Sequence, residues 1–114
     1  MTGVVNTRNG RIFLTDLRAA RGPWQAFAGL MLRASLPAGQ GMLFRPARGI
    51  HTHFMRFPID LVYLDETNRV CTVRPAMAPW RFDFRRAAAV IEANAGAAAA
   101  ADVQVGDVLR FDRF

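Results

Sequence analysis

The sequence has no lysine: all fifteen of its basic residues are arginines, set against nine acids for a net charge of +6. Arginine forks suit phosphates and carboxylates. A GC-rich coding sequence, with its many alanines and glycines, accounts for the same composition and is the preferred explanation. The arginines run from Arg8 to Arg113 with only Arg85 and Arg86 adjacent, so no compact basic run marks a nucleic-acid face. A single cysteine, Cys71, excludes an internal disulfide and a cysteine-rich metal site, and is expected to be a small buried filler in a strand. No window reaches the roughly 20 apolar residues of a membrane helix. Nothing near Met1 joins a charged start, an apolar run and a small-residue cleavage site. The chain as given therefore reads as cytoplasmic, and as exported if a leader has been removed from it.

A length of 114 residues at 52% hydrophobic composition suits one domain with its own core. The densest chemistry lies in Ile50 to Asp65, which holds both histidines and an acid among hydrophobes. Ile59 to Leu64 is rich in β-branched and aromatic types and reads as a buried strand, with Pro58 at its start. Alternation puts Asp60 on one face with Val62 and Leu64. A buried carboxylate needs a partner, an arginine or a histidine. The same alternation sets His51 and His53 on one side of an extended segment, where two imidazoles can reach one ion or one proton-transfer target.

Elsewhere, Met1 to Asn9 reads as a polar lead-in, so the domain is placed at residues 11–114. Asn9-Gly10 is a turn signal before a strand over Arg11 to Leu17. Trp24, Phe27, Leu30 and Met31 recur at helical spacing after Pro23, predicting a short amphipathic helix. Leu36 to Gly41 is a loop and Met42 to Phe44 a short strand. Glu66 to Asn68 turns into a strand over Arg69 to Val73, and Pro75 to Pro79 reads as a connection. Trp80, Phe82 and Phe84 alternate with Arg81, Asp83 and Arg85, as core packing beneath a loop or as a stacking strip. Arg86 to Ala101 is either one alanine-rich helix or, because Val90-Ile91 is β-branched and Gly96 divides the run, a strand followed by a short helix. Val108 to Phe111 is a closing strand.

Five blocks, Gly29-Leu30-Met31 with Arg33 and Leu36, Gly41-Met42-Leu43-Phe44, His53 to Asp60 running on to Asp65, Val90-Ile91-Glu92 with Ala95-Gly96, and Val105-Gly106-Asp107, resemble the DUF192 (UPF0127) family in order and spacing. The resemblance implies a mainly β (α+β) fold, a small single-domain β-barrel or sandwich with one or two short helices, and favours strand, turn and short helix over Arg86 to Ala101. It implies no established reaction. Ala26 departs from it, since members often carry an arginine there.

Three functions remain. The leading one is a non-enzymatic ligand- or partner-binding or accessory protein needing no cofactor, whose apolar pocket draws on Met31, Met42, Phe54, Met55 and Phe57. Its partner is an unknown small ligand or protein. The first alternative is a metal-dependent enzyme in which His51, His53 and Asp60, with Glu92, hold a divalent transition metal. The second is a weak nucleic-acid binder using the scattered arginines. A structural account competes for the same residues, with Arg33 and Asp60 as an ion pair that pins a helix to the sheet and Asp107 holding a turn.

Overall fold

Val4 and Val5 form the middle of a sheet, although their neighbours are threonine, glycine and asparagine. The computed structural model describes residues 1–19, 36–45, 47–51, 57–77 and 82–113, with backbone alone at 47–51 and 82–86. Strand β1 (Thr2–Asn6) lies between β2 (Ile12–Leu14) and β10 (Leu109–Arg113), antiparallel to both. The expected lead-in is thus a central strand, because two valines suffice to fill a sheet whose other strands come from both ends of the domain. The β1–β2 turn is the one signalled by Asn9-Gly10: the Gly10 N–H donates to the Asn6 carbonyl at 2.8 Å, and Gly10 takes a φ of 72°.

The strand expected over Arg11 to Leu17 is broken at Thr15. Its second half is β3 (Asp16–Ala19), which leaves the first sheet to pair in parallel with β4 (Gln40–Phe44). The Gly39 carbonyl accepts from the N–H groups of both Thr15 and Asp16, and a Cβ on Gly39 would collide with the Thr15 hydroxyl. At a φ of 79°, that corner requires glycine.

A five-stranded sheet follows the order β3-β4-β9-β6-β7, with β6 (Ile59–Leu64), β7 (Val70–Met77) and β9 (Ala89–Asn94) antiparallel. The β6–β7 turn is held by Asp65, whose Oδ1 accepts from the Thr67 hydroxyl and from the N–H groups of Thr67 and Arg69. These bonds, the Thr67 hydroxyl first, hold the Asp65 carboxyl below its usual range. Strand β7 continues through Pro75, where a connection was expected. It is the edge strand, so the missing N–H is needed by no neighbour. Cys71 on that edge is exposed rather than a buried filler. Strands β5 (Ala47–His51) and β8 (Phe82–Ala87) form a separate two-stranded ribbon. After β9, Gly96 turns the chain at a φ of 93° into the single-turn helix α1 (Ala97–Ala100), so strand and helix share the alanine-rich stretch.

The sheets remain open: among the described residues β3 and β7 end the five-stranded sheet without pairing to each other, so the layered alternative holds over a closed barrel. One face of that sheet, with Val62, Leu64, Ile91 and Ala93, packs on Val4, Leu14, Leu109 and α1. The opposite face buries Ile59, Leu61, Tyr63 and Val90 with Leu36, Phe57 and Met77. Burial on both faces explains why β6 is apolar on both sides apart from Asp60. The predicted helix over Trp24 to Arg33 lies outside the described residues. No helix among the described residues is long and apolar enough to cross a membrane.

Candidate functional site

Strand alternation separates the two acids of the candidate set. Asp60 on β6 belongs to the face that meets α1, and Glu92 on β9 to the opposite one. They are neighbours in the sheet and share no site.

Asp60 is 1% exposed, and its oxygens are taken by main chain. Oδ1 accepts from the Ala76 N–H at 2.8 Å, and Oδ2 from the N–H groups of Gly96 at 3.1 Å and Ala98 at 3.0 Å. The carboxylate therefore ties the bulged end of β7 to the start of α1, a helix with no side-chain cap. Among the described residues its partners are three backbone donors, and the charged partners expected from the sequence, Arg33 and the side chains of His51 and His53, are not among those residues.

Asp107 is a second structural hub. Its Oδ1 accepts from Arg8 Nε at 2.7 Å, and its Oδ2 from Asn6 Nδ2 and the Gln104 N–H, each at 2.9 Å. Burial pushes this carboxyl up, but the bonds from Arg8, Gln104 and Asn6 outweigh it and leave it below the usual range. Asn6 and Arg8 were assigned to the lead-in, and no local signal pairs them with a residue a hundred positions away. Asp107→Asn is expected to cost about 2 kcal/mol at pH 7, since charge-assisted bonds exceed neutral ones. A carboxyl lowered on folding stabilises above its unfolded value of 3.8 and loses that contribution as pH falls through the folded value. Urea midpoints of the two proteins should therefore converge in acid.

Glu92 differs from both. It is 2% exposed and sits in register between Met42 on β4 and Leu61 on β6. Burial alone pushes its carboxyl up to about 8, so it carries its proton at neutral pH. Its Oε2 is buried and has no hydrogen-bond partner. On the same face, Phe57, Leu61, Tyr63 and Val90 are buried, while Met42 and Phe44 are partly open to solvent along β4. Asn94, next along that face of β9, is fully engaged with Leu36, accepting from its N–H at 3.2 Å and donating to its carbonyl at 2.9 Å. The arrangement is an apolar face with one neutral acid that can donate a hydrogen bond and accept another.

Of the expected pocket residues, Met42 and Phe57 belong to this face with Glu92. Met31, Phe54 and Met55 lie outside the described residues, as does His53. His51 ends β5 opposite Phe82. Among the described residues no group of three or more histidine, cysteine, aspartate or glutamate side chains could hold a metal ion. The strand that carries Glu92 was legible from the β-branched Val90-Ile91, but the burial of both sheet faces was not.

Residues 4–111 match the profile of the DUF192 family, described as "Uncharacterized ACR". A UPF0127 protein of Pyrococcus furiosus is 30% identical over 115 residues, covering 96% of this chain and 98% of its own. Another, of Thermococcus gammatolerans, is 29% identical over 117 residues, covering 96% of this chain and 74% of its own. Among solved structures, a candidate transcription regulator of Sinorhizobium meliloti superposes with a TM-score of 0.78 at 25% identity, covering 96% of this chain and 91% of its own. A protein of unknown function from Novosphingobium aromaticivorans gives 0.72 at 23% identity, covering 96% and 82%; at that identity the likeness concerns the fold.

Proposed function

The chain belongs to the DUF192 family, and within that fold we propose that it is a non-enzymatic binding module for a small, largely apolar ligand, seated on the Glu92 face of the five-stranded sheet. The observation that carries this reading is the Glu92 Oε2 atom, buried without a hydrogen-bond partner between Met42 and Leu61. An unmade hydrogen bond to a buried group costs about 1–3 kcal/mol. A ligand hydroxyl or amide placed there recovers it, while the apolar body of the ligand gains from Met42, Phe44 and Leu61. The other buried acids do not offer this, because Asp60 and Asp107 are each saturated by three donors.

The test uses two uncharged probes, methyl omega-hydroxyhexadecanoate and methyl hexadecanoate, which differ by one hydroxyl. Calorimetric titration should show the hydroxylated ester binding about tenfold more tightly, the equivalent of one hydrogen bond. Glu92→Leu should erase that preference without abolishing binding of the plain ester. Equal affinity of the natural chain for the two esters, or no binding of either, overturns the reading.

A further inference from the structure

Among the described residues the two larger sheets end in β2 and β10, and in β3 and β7. Strands β2 and β3 have three and four residues. Strand β7 is bulged twice and carries Pro75, devices that keep an edge from pairing. Strand β10, Leu-Arg-Phe-Asp-Arg over Leu109–Arg113, runs against β1 without a bulge. The Val108 carbonyl accepts from the Thr7 N–H on the β1 side, and the Leu109 N–H donates outward to the Asn68 carbonyl. By alternation Arg110 and Asp112 bond towards β1, while Phe111 and Arg113 turn their N–H and C=O groups outward. Asn68 occupies the edge at Leu109, so its open part is centred on Phe111.

An open edge is a template for another strand, and the side chains of β10 decide which strand fits. A two-fold axis at Arg110 would set two arginines opposite each other, and one at Asp112 two aspartates, and both arrangements destabilise a sheet. An axis at Phe111 sets Arg110 of each copy opposite Asp112 of the other, in the non-hydrogen-bonded positions where side chains come closest. Arg110 Nε already contacts both Asp112 oxygens on its own strand, at 2.9 and 3.0 Å, so the axis completes a ring of alternating charges. On the other side of the strand it brings the half-buried Phe111 ring against its twin, each with its own Arg45 Cζ 5.8 Å from the ring centroid. We propose that β10 is a dimerisation edge whose partner is β10 of a second copy of this chain, joined about a two-fold axis at Phe111. Each Phe111 N–H then donates to the Phe111 carbonyl of the other copy. A five-residue edge buries less than the roughly 1,200 Å² of a stable interface. The dimer therefore dissociates on dilution, and salt weakens it because its ion pairs are exposed.

Sedimentation equilibrium tests this with the natural chain, Arg110→Asp and Asp112→Arg. Among the described residues these two side chains bond only to each other, so the variants keep the monomer fold. The natural chain should show a monomer–dimer equilibrium that shifts towards monomer in high salt. Each variant alone sets like charges at both contacts and should dimerise at least about tenfold more weakly. An equimolar mixture of the two should recover the dimer, because every contact then joins an arginine to an aspartate, and the recovery also shows that both variants are folded. Both keep a net positive charge, so bulk attraction cannot unite them. Amide exchange locates the contact: the Phe111 N–H should exchange more slowly in the dimer than in the monomer. A natural chain that is monomeric at about 1 mM, or a mixture no more associated than its components, overturns the proposal. A dimer in which the Phe111 N–H exchanges as it does in the monomer is built on another surface, and overturns it as well.

Discussion

Glu92→Gln is expected to be more stable than the natural chain at pH 8 and to flatten the fall in stability between pH 4.5 and 8. In the folded protein burial holds this carboxyl at about 8, against 4.5 for an ordinary glutamate. Below the ordinary value both folded and unfolded chains carry the proton, and the buried group is not penalised. As pH rises, the unfolded chain releases its proton first, so the folded state loses about 1.4 kcal/mol for each pH unit. The loss is complete once pH passes the folded value, and by then it is on the order of 5 kcal/mol. Glutamine has no proton to release, so its contribution is constant across the window. Asp65, Asp102 and Asp107 are all shifted downward and titrate below the window. Guanidinium midpoints for both proteins at pH 5 and pH 8 decide the matter: the gap between them should widen at the higher pH. Parallel midpoints would mean that Glu92 is not held neutral by the fold.

Asp60→Ala is expected to lose on the order of 4 kcal/mol or more, because it leaves the N–H groups of Ala76, Gly96 and Ala98 without their acceptor at a cost of about 1–3 kcal/mol each. Against a typical stability of about 5–15 kcal/mol, that is enough to leave much of the protein unfolded at 37 °C. Asp60→Asn can turn its one carbonyl oxygen toward Gly96 and Ala98, abandoning only the bond to Ala76, and should lose roughly half as much. Amide exchange gives a local check. The Ala98 N–H, buried and bonded to Oδ2, should be protected in the natural chain and in the Asn variant, and exposed to exchange in the Ala variant. A loss below about 1 kcal/mol in the Ala variant would show that these amides find other partners.

The two acids also show how far a sequence can be read. Ile59 to Leu64 and Val90 to Ala93 are legible as strands because branched and aromatic residues cluster there. Asp60 was legible as a buried acid that needs partners. Its partners were not, since the donors belong to the backbone, and backbone donors leave no residue type to search for. The Asn6, Arg8 and Asp107 group escaped for a related reason. Its members lie at opposite ends of the chain and meet only because β1 pairs with β10. The division of Asp60 from Glu92 is another case: alternation gives each strand two sides, but only pairing decides which sides of neighbouring strands coincide.

By itself, then, the sequence determined the mainly β character, the turns at Asn9-Gly10, Asp65 to Asn68 and Gly96, the family, and the membership of Met42, Phe57 and Glu92 in an apolar setting. These follow from local steric preference and from burial of apolar side chains, which act residue by residue. Tertiary structure alone decided that the first strand is central and that Glu92 rather than Asp60 carries the unmade hydrogen bond. Those facts depend on strand order and register, which are set by pairing between distant segments of the chain.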